Sequence, residues 1–211
     1  MDNSNKPNIR AYIGGTGSGK GVSIREYLKQ RKPPRLAIWD TNSEYAYLCK
    51  VVRTIPALCA ELQKKNFAVS FVPKHDPKIM PGQFDLFCRA MMAAGNLVMY
   101  VEELADVTKA SWAPPAWRVC CKRGRHAGFE IIASTQSPAD CDKAFFSGAT
   151  YIRCFVLREV NHRRKMAACM DETLDTINSL QTVQKGTTTH ITYLEKDFRQ
   201  ATRTLKTITI G

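Results

Sequence analysis

Acidic residues are scarce in this chain: 19 Asp and Glu face 31 Lys and Arg, a formal net charge of +12 over 211 residues. The imbalance is concentrated. Residues 118 to 165 hold ten Lys or Arg against four Asp or Glu. A small substrate leaves such an excess unexplained, whereas a nucleic-acid backbone accounts for it. Long apolar runs are missing too. The longest mostly apolar stretch, "AMMAAGNLVMYV", is broken by Gly95 and Asn96 and is too short to span a bilayer. The opening "MDNSNKPNIR" carries no apolar leader. Together these predict a soluble protein made in a cytoplasm, with no transmembrane segment of its own. Eight cysteines occur, but none forms a C-x-x-C pair or has ligand-like spacing with the four histidines. Reduced thiols are expected, several packed as small apolar residues. No repeat, low-complexity tract or internal linker is visible. One domain over 1–211 is therefore expected, with a core at 8–160 and helices plus a β-hairpin at 161–211.

What is present alternates between strand and helix. "IRAYIGG" reads as a buried strand ended by glycines, and Val22, Ile24, Tyr27 and Leu28 then fall near helical spacing. "RKPPR" stops that helix, because two prolines cannot continue it. "LAIWD", "VVRTI", "FAVSFVP", "NLVMYVEE", "FEIIASTQ" and "ATYIRCFVL" read as strands. "PALCAELQKKN", "PGQFDLFCRAMMAAG", "PPAWRVCCKRGRHAG", "REVNHRRKMAACM" and "DETLDTINSL" read as helices between or after them. The tail from "GTTTHITYLEKD" onward alternates like a terminal hairpin. This order predicts an α/β fold with a mostly parallel sheet covered on both faces.

The first strand runs into "GGTGSGKGV", residues 14 to 22. Gly14, Gly19 and Lys20 match the phosphate-loop pattern G-x-x-x-x-G-K between a strand and a helix. In such a loop the backbone of Gly14, Gly15, Thr16, Gly17, Ser18, Gly19, Lys20, Gly21 and Val22 cradles phosphates. The lysine reaches the outer phosphates and the helix N-terminus favours an anion. One required letter is absent. Gly21 stands where Ser or Thr normally holds magnesium. Ser23 is turned roughly 200° away from position 21 on the helix. Thr16 and Ser18 in the loop, or water in the vacant magnesium position, are the remaining alternatives.

"LVMYVEE" delivers Glu102 and Glu103 at the carboxyl end of a strand, where open α/β sheets bind ligands. One carboxylate there suits magnesium and a second suits activation of water. "FEIIASTQ" ends on Ser134, Thr135 and Gln136, polar groups placed to sense a terminal phosphate. Asp40 ends another strand, with Glu44 close by, and either supports the magnesium or the water, or caps a turn. Arg123 and Arg125 form a basic turn, solvated or facing DNA; an arginine there also suits a finger supplied to a neighbouring site.

Taken in order, "GGTGSGKG", "IWDTNSEY", "LVMYVEE", "KRGRHAGFEIIASTQSP" and "ATYIRCFVL" resemble the FtsK–HerA superfamily of DNA-pumping ATPases. Within it they resemble the genome-packaging ATPases of membrane-containing icosahedral viruses and prophages. The motifs span residues 11 to 157, about 70% of the chain. The resemblance implies a RecA-like P-loop NTPase core that uses ATP and Mg²⁺. It implies a homo-oligomeric ring, a hexamer or pentamer, threading double-stranded DNA. By position, Lys20 binds phosphate, Glu102 takes the magnesium side, Glu103 activates water, Gln136 senses the γ-phosphate and Arg125 reaches the next subunit. Lys122, Arg123, Arg163, Arg164 and Lys165 are the candidate DNA contacts. The implied partners are a capsid vertex or membrane-associated viral proteins, in the host cytoplasm and at the packaging vertex of the virion. Gly21 and Glu102 depart from the usual letters, and both touch the metal. The alternatives are a filamentous-phage assembly ATPase, a nucleotide kinase, and a nucleotide-gated module that binds DNA or a capsid without turnover.

Overall fold

Strand β1 (Asn8–Ile13) sits inside the sheet, and its composition shows why. Ile9, Ala11 and Ile13 point to one face and Tyr12 to the other, and all four are buried. A strand buried on both faces reads as a nearly continuous apolar run. The structure, a computed structural model, describes residues 8–211. The polar opening, residues 1–7, lies outside them.

The remaining strands are β2 (Arg35–Trp39), β3 (Lys50–Val52), β4 (Phe67–Phe71), β5 (Val98–Val101), β6 (Glu130–Thr135), β7 (Tyr151–Cys154), β8 (Thr182–Lys185), β9 (Thr188–Asp197) and β10 (Thr202–Ile210). The sheet runs β10-β9-β7-β1-β6-β5-β2-β4-β3, with β8 beside β9. From β7 to β3 every pairing is parallel. β1 lies between β6 and β7, with Ile13 opposite both Thr135 and Cys154. Loops leaving the carboxyl ends of β1, β5 and β6 therefore meet at one edge.

The helices are α1 (Lys20–Arg31), α2 (Ile55–Leu62), α3 (Met80–Ala94), α4 (Pro115–Arg123), α5 (Lys143–Gly148), α6 (Val160–Met170) and α7 (Leu174–Asn178). α1 ends where Lys32 turns left-handed (φ 43°), ahead of the two prolines, with Lys29 and Arg31 favourably placed in its last turn. The sheet is an expected mainly parallel one, and both faces are covered, but unevenly. Side chains from α2 to α7 pack on one face, among them Leu58, Phe87, Trp117, Phe145, Met166 and Ile177. On the other face, among the described residues, α1 is the only helix to add buried apolar side chains, Ile24 and Leu28.

The tail differs from a free-standing hairpin. β9 pairs antiparallel with β7, so the hairpin continues the central sheet. β8 adds a third strand against β9. Its sequence, TVQK, is mostly exposed and too polar to show alternation. The helix expected over 171–180 shrinks to the five residues of α7, capped by the Thr173 hydroxyl on the Thr176 N–H. All eight cysteines are free, and six are buried, as apolar packing predicts.

Candidate functional site

The loop between β1 and α1 bends tightly, and two glycines show why. A Cβ on Gly14 would lie 2.6 Å from Phe155 Cβ and 2.6 Å from Ser18 Oγ. Gly19 has φ +91°, and a Cβ there would meet Ile191 Cδ1 at 2.9 Å. Gly14 N–H and Gly15 N–H are tied to the carbonyls of Thr135 and Val156, which fixes the loop to β6 and to the exit of β7. The Lys20 ammonium donates to the carbonyls of Gly14 (2.5 Å) and Gly15 (3.1 Å). Burial lowers the Lys20 pKa, while the carboxylates of Glu103, Glu102 and Glu44 pull it back up.

Residues 15–22, Glu102, Glu103 and Gln136 line one cleft of about 410 Å³ at the carboxyl edge of the sheet. Glu103 stands in the left-handed region (φ 45°), a conformation that costs about 1 kcal/mol or more and clusters at functional sites. That backbone turn sends its carboxylate across to β6. There Oε1 accepts from the Thr135 hydroxyl at 2.6 Å, and both oxygens accept from Gln136 N–H at 3.1 Å. The Gln136 side chain in turn accepts from Thr16 Oγ1 at 2.6 Å. Gln136 thus connects the loop to Glu103.

Glu102 is buried, and its carboxylate accepts from Asn42 N–H at 3.3 Å. Burial, together with the Asp40 and Glu44 carboxylates, raises its pKa to about 7, although the Asn42 bond opposes the shift. Asp40 proves to be the turn cap among the two readings open for it. It is fully buried and accepts from Glu44 N–H, Tyr45 N–H and the Ser70 hydroxyl. Glu44 lines the cleft.

The cleft's chemistry fits a nucleotide with its metal. Backbone N–H groups, Lys20 and a helix N-terminus attract phosphate, while the crowded acids around Glu102 favour a cation. The hydroxyl that would hold such a cation is the weak point. Ser18 Oγ is buried against Gly14 and has no hydrogen-bond partner. Ser23 is bonded to Arg153 under the helix. Thr16 and Ser18 both line the cleft; Thr16 is the exposed one, and its hydroxyl donates to Gln136.

The basic candidates lie elsewhere. Arg125 occupies a short 3₁₀ turn (Gly124–Ala127) just before β6. It is therefore at the amino edge of the sheet, about 20 Å of strand away from the loop. It is exposed, and its side chain bonds its neighbour His126 while its carbonyl accepts from Gly128 N–H. Lys122 and Arg123 close α4 beside it. Arg163, Arg164 and Lys165 lie on α6, with α5 packed between the two groups. Arg164 is exposed, but Arg163 Nη1 bonds the carbonyls of Leu157 and Arg158, and Lys165 lies over the Phe146 ring. A second hollow beside α4 joins Lys122 to Arg118, Lys143 and the exposed Trp112.

Several cleft residues carried no role in the motif reading. Tyr100 bonds Ser134 at 3.0 Å and meets Tyr45 edge-on. Thr189, Ile191 and Ile210 enter from β9 and β10, and Arg25 from α1. Only Ser134 had a local signal, its place at a strand end.

The fold, with its loop between β1 and α1, is that of the P-loop NTPases. No protein-family model matches the chain. It is 29% identical over 189 residues to Protein P9 of Pseudoalteromonas phage PM2, covering 85% of this chain and 83% of that protein. Among solved structures it is similar to the genome packaging NTPase B204 of Sulfolobus turreted icosahedral virus 2 bound to ATP-gammaS. The TM-score there is 0.74 at 22% identity, over 96% of this chain and 98% of that one. The likeness to viral packaging ATPases read from the motifs thus recurs over nearly the whole chain. The N-terminal domain of zonular occludens toxin from Neisseria meningitidis shares the fold at a TM-score of 0.52 and 13% identity, over 96% of this chain and 95% of that one. No helix among the described residues is long and apolar enough to cross a membrane.

Proposed function

We infer that the chain is an ATP-hydrolysing motor that moves double-stranded DNA in viral genome packaging. One observation carries this reading: the relay from Thr16 through Gln136 to Glu103, facing Lys20 across the cleft. The Gln136 amide lies between the loop that receives the phosphates and the carboxylate that would take a proton from water. The likeness to genome packaging NTPases supports the biological role.

In this reading the loop backbone and Lys20 bind the triphosphate, and Glu102 would hold the magnesium ion. Magnesium, when bound, neutralises charge developing on the phosphates. Glu103, held by Thr135 and Gln136 N–H, orients and deprotonates the attacking water. A γ-phosphate in the loop would compete with Gln136 for the Thr16 hydroxyl, and its loss would let that bond re-form and so signal hydrolysis. Arg125, at the far edge of its own subunit, serves a neighbour's cleft in a hexameric or pentameric ring. Lys122 and Arg123, with Arg118 and Lys143 nearby, and Arg164 on α6 supply phosphate contacts to DNA. Capsid or membrane-associated proteins at the packaging vertex are the remaining partners, met in the host cytoplasm.

The test is ATP hydrolysis by the purified protein with and without double-stranded DNA, with Glu103→Gln as control. Stimulation by DNA that disappears in the variant is expected, with the rate falling at least about 100-fold. Tight ATP binding without turnover in either condition would instead make it a nucleotide-gated binding module. If Arg125 acts across subunits, mixing Arg125→Ala with Glu103→Gln chains restores part of the activity. No recovery at any ratio would sink the shared site.

A further inference from the structure

The glycine at position 21 removes a hydroxyl, but it also clears a space, and Arg25 occupies the edge of that space. Side chains on a helix lean toward its N-terminus, so residue 25 lies over residue 21, one turn earlier. A Cβ on Gly21 would lie 3.5 Å from Arg25 Nη1, 3.9 Å from Cζ and 4.0 Å from Nη2. The guanidinium thus rests above the first turn of α1, at the mouth of the same cleft as Glu44 and Glu102. It makes no hydrogen bond or ion pair among the described residues, although three carboxylates, Glu44, Glu102 and Glu103, share its cleft. A side chain at position 21, where a hydroxyl ordinarily reaches the metal ion, would stand beside this guanidinium.

We propose that Arg25 is a nucleotide-binding residue that contacts the non-bridging phosphate oxygens on the metal side of the triphosphate. It supplies from the chain part of the positive charge that a hydroxyl-anchored magnesium ordinarily brings. A guanidinium suits this task because it is permanently charged and matches phosphate oxygens two at a time. Gly21 and Arg25 are then complementary: the position that lacks the hydroxyl lies beside the cation that replaces part of the charge. The inference rests on the reading of the cleft as a nucleotide site.

One quantity read in two media separates the two ideas. ATP affinity is measured by calorimetry in EDTA and again in magnesium, for the wild type, Arg25→Gln, Gly21→Thr/Arg25→Gln and Lys20→Ala. Because Arg25 is exposed, its replacement leaves the core untouched, and thermal melts verify this. Arg25→Gln is expected to weaken ATP binding in EDTA by about tenfold or more, the usual worth of a charge-assisted hydrogen bond. Its loss in magnesium is smaller. Adding Gly21→Thr recovers binding in magnesium but not in EDTA, because the new hydroxyl acts only through the metal. If Arg25→Gln binds as the wild type does in both media while Lys20→Ala loses affinity, the proposal is overturned and the nucleotide site survives. If Lys20→Ala also binds unchanged, the nucleotide-site reading falls, and this inference with it.

Discussion

The two faces of the central sheet are held by different chemistry. On the helix-rich face, rings pack on rings. Trp39 meets Phe84 at 5.0 Å and Phe87 at 5.5 Å; Trp117 lies 5.5 Å from Phe84 and 5.9 Å from Phe145. On the α1 face, aromatic rings alternate with ions. Arg10 stacks between Tyr27 and Tyr151 and pairs with Glu130. Arg153 lies over Tyr193, pairs with Glu195 and bonds Ser23 of α1, while Glu195 also holds Lys206 and Tyr151. Dispersion and apolar burial are non-directional, so the first face fixes volume. Ion pairs and hydrogen bonds are directional, so the second fixes where α1 stands relative to β7, β9 and β10. That is the face whose edge carries the candidate nucleotide cleft.

The contrast can be broken in order of cost. Trp39→Ala removes the centre of the apolar cluster and should cost about 3–5 kcal/mol in urea unfolding. A loss below about 1 kcal/mol would show that this face is loosely packed. Arg153→Met should cost somewhat less, about 2–4 kcal/mol, because it leaves Glu195 partly unpaired in a site of low exposure. Lys206 and Tyr151 soften the loss. Its distinguishing sign is faster amide exchange in β10, and Trp39→Ala at matched stability should lack it. Equal exchange in the two variants would mean that the polar seam does not tie the hairpin to α1.

The smallest effect depends on pH and sits where the polar face meets the cleft. Glu102 ionises near 7 in the fold and about 4.5 when unfolded. The fold therefore binds its proton more tightly. Stability falls as pH rises from about 4.5 through 7, then levels off. Glu102→Gln removes this slope and should stabilise the protein by about 1–3 kcal/mol at pH 8, with no gain at pH 4.5. A gain that is the same at both pH values would point to packing rather than charge.

Much of the site was legible beforehand because its chemistry is local. A lysine beside a left-handed glycine at the start of a helix, and carboxylates at the end of an apolar strand, are patterns of neighbouring residues. Glu102, Glu103 and Gln136 reach one cleft because β5 and β6 are parallel neighbours in register, Val101 opposite Ala133. Arg25 escaped notice because a charged residue on an amphipathic helix reads as solvated. β8 escaped because four mostly exposed residues carry no alternation. The basic residues gathered in sequence divide in space between α4 and α6, since charge in a window says nothing about which side chains the fold occupies internally.

By itself, the sequence determined the alternation of strand and helix, the phosphate loop and the carboxylates at the strand ends, since each depends on backbone conformation and spacing within a few residues. Only the tertiary structure decided that the tail joins the sheet through β7 and β9 and that Ile191 closes over Gly19. It alone sent Asp40 to cap a turn and left Glu102 facing the cleft. Those outcomes depend on pairings between residues far apart in the chain, where burial and charge are set by neighbours that no local pattern names.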